Sequence, residues 1–536
     1  MKPRTPTHSL PSYDEPTPET RGRISREEEA ERALKHTEFT AGVREILISL
    51  FLLTIVSVGT IQFFAGTWLK LNAKMFLHAE SIKSFEKQLE EESVVSQWLL
   101  PRTQSLLTGK LGAGNEQVYL GRNGWLFYRP DVDYVTGPPF LSEAWQRKRL
   151  HAAKVQPDPI RAIVHFRDQL AARGIDLVIM PVPVKPAIEG AQLSVKAGPR
   201  LQNASFEEFK NRLTSSGVNV FDPAPFFVEA ESEKYLTSDT HWKPEAMELV
   251  ARKLAATLKL PAIDQAAFQT NDLEIHGVGD VARMLRLAPN EQLYPRQSVT
   301  IHQVTNGNAF WRPTADADVL VLGDSFANIF SLEALGWGES AGFVEQVSHS
   351  LGDRPLDCIL RNSDGAFATR EILARDLARG RDRLAGKKLV IWEFAARELA
   401  FGNWKLIDLK LGQPGAAQFY SPKPGEIVEA TGTIENLSLV PRPATVPYQD
   451  HVMTVQLSEI RIGGKENAGA LKAVVYLLSM HDNVWTAAAR LRVGDQVTLR
   501  LRAWADVAAQ YEGINRSELE DPALQLEEPA WGEIVK

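Results

Sequence analysis

A single cysteine in 536 residues, Cys358, rules out an intramolecular disulfide and leaves a cysteine-rich zinc site without ligands. It lies in the apolar run Leu356–Leu360, where a thiol is expected to act as a small core residue. Basic residues are not in excess: 60 Lys and Arg stand against 67 Asp and Glu, for a net charge of −7. Nothing therefore neutralises a run of phosphates, and no nucleic-acid partner is expected. No internal repeat is visible, and no cofactor is expected. Charge itself is missing from Ile46 to Leu69, between Glu45 and Lys70. At about 1.5 Å per residue that stretch is long enough for a hydrocarbon core of roughly 30 Å, and no small-x-small cleavage site follows it.

What is present is the composition of a globular chain, 44% hydrophobic and 24% charged, too long for one core. Residues 1–43 read as a charged, disordered cytoplasmic tail and 44–69 as a retained transmembrane anchor. Spaced apolar positions over 70–116 read as a juxtamembrane helix or stalk. The bulk of the chain is placed outside the cytoplasm, periplasmic, on a single-pass inner-membrane anchor.

Between 117 and 415 strand and helix signals alternate. A hairpin is expected over Gln117–Tyr128 with Asn123-Gly124 as its turn, and a helix from Asp158 to Ala172 closed by Gly174. Ile175–Met180, ended by Pro181 and Pro183, reads as a buried strand, as do 218–221, Val319–Leu322 and Lys388–Trp392. Helices are expected over 205–215, from Pro244 to about Leu258, after Ser325, and near 369–384. That alternation predicts an α/β fold, a parallel sheet flanked by helices, with ligands at the carboxyl ends of its strands. From 420 to 536 short alternating strands with glycine turns, Gly463-Gly464 and Gly494-Asp495 among them, predict a small all-β domain, OB-like or a sandwich.

Leu320-Val-Leu-Gly-Asp-Ser-Phe326 is an apolar strand that ends in a serine at a helix start, where free backbone N–H groups can hold an oxyanion. Asp239-Thr-His-Trp242 supplies a base. Ser325 is the candidate nucleophile, His241 the general base and Asp239 its orienting carboxylate; if the segment is extended, residues two apart face one way. Asp324 is expected to bond the turn. Each motif alone also arises as an ordinary turn and helix cap. Metal binding by His241 and Asp239 lacks a recognisable third ligand.

Together the motifs resemble the SGNH-like acetyltransferase domains of alginate O-acetylation proteins, the AlgX and AlgJ type, over roughly residues 117–410. Gly121-Arg-Asn-Gly-Trp-Leu-Phe127, Pro183-Val-Lys185, Asp239-Thr-His-Trp242, His276-Gly-Val-Gly-Asp280 with Met284-Leu285, Gly323-Asp-Ser-Phe326 and Trp392-Glu-Phe-Ala-Ala-Arg397 follow in that family's order. The His block precedes the serine, as in its permuted domain. The resemblance implies that Ser325 carries the acetyl group as an ester and that Arg397 contacts an acceptor polysaccharide. It also implies a sugar-stacking face on Trp242, unless that ring is buried against the sheet. Asn328, one turn past the nucleophile, is the candidate for the family's side-chain oxyanion donor. The usual Gly and Asn donors are not identifiable, and the C-terminal region does not match the family's carbohydrate-binding module. A multipass membrane acyltransferase is the implied acetyl donor.

The expected function is an anchored O-acetyltransferase acting on an exopolysaccharide. Two alternatives stand beside it: an acetyl esterase with the same three residues, and a non-catalytic polysaccharide-binding scaffold.

Overall fold

The computed structural model describes residues 40–65 and 93–535, less 153, 196–200, 229–232, 262–267, 290, 308, 363–364, 379, 413–418, 444–445, 464, 467–470, 492–493, 520 and 522. It divides into two compact units, Met1–Leu100 and Pro101–Lys536.

In the first unit a 25-residue helix occupies Ala41–Ala65, with Ile46, Leu47, Phe51, Leu52 and Leu53 exposed. Among the described residues, no helix is long and apolar enough to cross a membrane. The transmembrane anchor expected over 44–69 is thus not borne out as a span, and the stretch is described only as far as Ala65. The tail expected before residue 40 and the stalk over 70–92 lie outside the described residues, as does Gly464 of one expected turn. Val94–Leu111 is helical.

The second unit is built on a five-stranded sheet, all parallel, in the order Asn219–Val220, Asp176–Val182, Leu389–Ala395, Val319–Gly323, Asp357–Leu360. Its strands are near-continuous apolar runs because both faces are covered. Val319 and Val321 pack into one core with Trp242 and Phe326, while Leu320 and Leu322 pack into the other with Trp392 and Phe166. The strand expected to stop before Pro181 runs on to Val182, pairing Pro181 with Phe394. Its other neighbour pairs only with Val178 and Ile179, so little ladder bonding is lost there to the missing N–H. Asp158 caps the helix Pro159–Ala171 through Arg161 N, and Asn123 and Gly124 turn the hairpin Val118–Leu120/Leu126–Tyr128 with φ of 52° and 80°. Cys358 is half-buried on the edge strand, where burial pushes its thiol pKa up.

An antiparallel arm, Gln269–Gly277 with Gln297–Asn306, interrupts the α/β order and had no expectation against it. Between its strands the helical turn Asp280–Met284 is pressed onto residues 238–240.

The C-terminal strands close into a ring. Ile427–Leu437 pairs with His451–Ile462 and with Gln496–Ala503, Gln496–Ala503 with Ala530–Ile534, and Ala473–His481 with both Ala530–Ile534 and His451–Ile462. A barrel rather than a sandwich results, since closure satisfies edges that an open sheet this small would leave unpaired. It docks beside the edge strand Asp357–Leu360: Arg361 reaches the Ile514 and Arg516 carbonyls, and Arg375 pairs with Glu518 at 2.7 Å.

Candidate active site

Val319–Gly323 delivers Ser325 to the carboxyl end of the sheet. Gly323 is needed there, because a Cβ would sit 2.7 Å from the Ala327 Cβ and 2.9 Å from Leu360. The helix expected there is a single turn, Ser325–Asn328. Asp324 fixes that turn: its Oδ1 accepts from Phe326 N at 2.8 Å and its Oδ2 from Ala395 N at 2.7 Å, while its own N–H donates to Glu393 Oε2 at 2.8 Å. Glu393 is buried, and burial followed by the Asp324 charge pushes its pKa well up. Among the described residues the Ser325 N–H meets no acceptor, whereas that of Phe326 is taken by Asp324.

His241 Nε2 lies 2.8 Å from Ser325 Oγ, and His241 Nδ1 lies 2.6 Å from Asp239 Oδ1. The two halves come from segments 84 residues apart. The expectation of an extended Asp-x-His segment is corrected: residues 237–241 form turns and bends, and Asp239 Oδ1 accepts the backbone N–H of His241 at 3.0 Å. An aspartate that bonds the backbone two residues on folds both side chains to one side without a strand. Asp239 Oδ2 in turn accepts from the Trp337 indole and from Asp280 N, each at 2.9 Å.

All of these groups are buried. Burial opposes the Asp239 charge, yet the hydrogen bond and charge of His241, with the donors from Asp280 and Trp337, hold its pKa below the ordinary value. Burial likewise opposes the imidazolium, but Asp239 raises the His241 pKa on balance. Asp280 is pushed up to about 6 by burial and then by the neighbouring Asp239 charge. Of the two carboxylates Asp239 has both oxygens fully engaged, while Asp280 Oδ2 has no partner among the described residues.

Lys185 underlies this turn. Its Nζ, fully buried, donates to the carbonyls of Leu126 at 2.6 Å, Thr237 at 2.8 Å and Asp239 at 3.0 Å, tying the hairpin to the loop that carries the imidazole. Burial pulls its pKa down to about 7 against the pull of Asp239, Asp280 and Asp131. A Lys185→Met substitution takes a donor from three carbonyls, of which that of Thr237 keeps Leu126 N at 3.0 Å, and a loss of about 2–4 kcal/mol is expected in denaturant unfolding. An unchanged midpoint would show that the carbonyls have other partners.

Three of the expected binding residues sit differently. Trp242 is fully buried, edge-on to Phe326 at 5.5 Å, with its N–H given to the Phe326 carbonyl at 3.1 Å, so the sugar-stacking face is lost to the core. Asn328 gives its amide to Asn362 Oδ1 at 3.2 Å and leans on the Gly513 carbonyl at 3.5 Å, which removes it as an oxyanion donor and makes it a brace for the barrel. Arg397 pairs with Asp131 at 3.0 Å and lies over the rings of Tyr128 and Phe326, so its charge is largely internal to the site. Asp131 and Trp337 carried no sequence signal, being single residues whose partners are remote in the chain. Asp239, His241 and Asp280 hold one possible ligand atom each within 4.8 Å of one another, as do Asp450, His481 and Asp482. In the first set the Asp239 and His241 atoms are engaged in the hydrogen bonds above.

A family model, the SGNH hydrolase-like domain of acetyltransferase AlgX, matches residues 118–396. Among curated relatives, a probable alginate O-acetylase AlgJ from Pseudomonas fluorescens is 24% identical over 381 residues, covering 68% of this chain and 89% of that protein. The counterpart from Pseudomonas syringae pv. tomato is 23% identical over 352 residues, covering 62% and 79%. Of solved structures, the O-acetyltransferase domain of Pseudomonas putida AlgJ is similar with a TM-score of 0.40 and 22% identity, over 53% of this chain and 92% of that one. Pseudomonas aeruginosa AlgX gives 0.39 and 17%, over 72% and 89%. The family match spans just over half of the chain and contains Asp239, His241 and Ser325, and the chain belongs to the AlgX family of SGNH hydrolase-like acetyltransferase domains.

Proposed function

We propose that this O-acetyltransferase moves acetyl groups onto polysaccharide hydroxyls through Ser325, with His241 as general base and Asp239 as its orienter. The observation that carries the proposal is the 2.8 Å contact from His241 Nε2 to Ser325 Oγ, continued at 2.6 Å to Asp239. In the first half, Ser325 Oγ attacks the acetyl carbonyl carbon while His241 takes the hydroxyl proton. The Ser325 N–H is the donor left for the oxyanion. Collapse expels the donor's leaving group, which takes the proton back from His241, and leaves an acetyl ester on Ser325. In the second half a sugar hydroxyl gives its proton to His241 and attacks that ester, after which the proton returns to Ser325.

The names of the relatives, alginate O-acetylases, make alginate the first polymer to test. The donor is proposed to be a membrane acyltransferase, and the chain is placed extracytoplasmically beside it. The exposed apolar side chains of Ala41–Ala65 support association with a membrane surface, because leaving so many in water is unfavourable.

Purified protein incubated with an activated acetyl ester and oligomers of alginate should yield oligomers heavier by one acetyl group per transfer, read by mass spectrometry. Free acetate alone, with every acceptor supplied in excess, would favour the esterase alternative, because water and sugar compete for the same ester.

A further inference from the structure

We propose that Asp280 is a positioning residue for the base: its carboxylate holds the Asp239–His241 turn and lends negative charge to the imidazolium. The inference rests on the reading of His241 as general base. Asp280 Oδ1 accepts from Thr240 N at 2.7 Å and from Thr240 Oγ1 at 3.1 Å, and its own N–H donates to Asp239 Oδ2 at 2.9 Å. Each aspartate thus holds backbone of the other's segment, with Thr240 caught between Asp239 and His241. Gly279 permits the approach, since a Cβ there would lie 2.1 Å from the Ser238 carbonyl oxygen. The remaining oxygen, Oδ2, is buried without a partner among the described residues and lies 3.9 Å from His241 Nδ1.

That placement has no structural use for Oδ2, but it has an electrostatic one. When His241 takes the serine proton, a buried cation forms with Asp239 on one side and this second carboxylate just beyond hydrogen-bond reach. Arg397 opposes that cation, while Asp239 and Asp280 favour it. Asp131 also senses His241, and Lys185 and Tyr128 also face Asp280. Burial and the Asp239 charge push Asp280 up to about 6, and an imidazolium nearby draws it toward the ionised form.

The test is Asp280→Asn, which keeps the shape and the acceptor for Thr240 but removes the charge. Without that charge the imidazolium is less favoured, so the His241 pKa should fall by about one unit, the shift expected for a charge at this distance. The acid limb of kcat/KM should move to lower pH by the same amount, with a plateau about tenfold lower. A purely structural role would lower the plateau and leave the limb in place. The His241 titration is also followed by NMR in the Ser325→Ala background, a readout that needs no activity and so stays valid if the acetyl-transfer reading fails. In unsubstituted protein the His241 resonance should show two inflections, one belonging to Asp280. A His241 curve unmoved by Asp280→Asn overturns the proposal; should that variant not fold, a single inflection in the unsubstituted protein overturns it.

Discussion

Ser325→Ala should lose acetyl-ester turnover and polymer acetylation by a factor on the order of 10⁵–10⁶, the scale seen when the nucleophile of a serine–histidine pair is removed. The expectation follows from the contact to His241 Nε2, which makes Ser325 the hydroxyl with a base already in place. The turn should survive the change, because Asp324 holds it through Phe326 N and Ala395 N, and Gly323 sets its packing. The melting temperature should therefore stay within the range of one lost hydrogen bond, about 1 kcal/mol. Assay of both quantities on one preparation separates the outcomes: retained turnover in folded Ser325→Ala protein rejects this nucleophile.

Asp239→Asn should cost about 10⁴ in turnover and also lower stability, a combination that distinguishes it from the serine variant. Asp239 accepts four hydrogen bonds, two on each oxygen: His241 Nδ1 and N on one, Trp337 Nε1 and Asp280 N on the other. An amide must turn its NH₂ toward one of these pairs. Facing His241, it opposes the backbone N–H and drives the ring to the tautomer that cannot accept the serine proton. Facing Trp337 and Asp280, it sets three donor groups against one another, at about 1–3 kcal/mol for each group left unpaired. Kinetics and thermal unfolding of the variant measure both effects. A variant that kept near-normal turnover would show that His241 needs no orienting carboxylate.

The parts of this molecule legible in its sequence are those whose signal is local. Val319–Leu322 reads as a buried strand because every residue is apolar, and Gly-Asp-Ser places a turn at its end. Asp239 and His241 could be named together because they are two residues apart, although the bent backbone that joins them was expected to be extended. The arm Gln269–Gly277 was invisible because most of its residues are exposed and only Leu273 and Ile275 alternate with polar neighbours. Trp242 and Asn328 read as binding groups only because a motif cannot report burial: one ring is closed in by Phe326 and Phe343, and one amide is spent on Asn362. Asp280 was visible as part of a motif, but its contact with Thr240, 40 residues earlier, follows from the arm that folds it back. Trp337 and Asp131 depend wholly on tertiary contacts and left no periodic trace.

The most direct measurement of the account is peptide mass spectrometry on protein mixed with an activated acetyl ester and quenched in acid before turnover completes. The acetyl group should be found on the peptide containing Ser325, and should be absent from that peptide in Ser325→Ala protein. Acetyl carried on a different residue, or full turnover with no acetylated peptide at any quench time, would contradict the covalent route through Ser325.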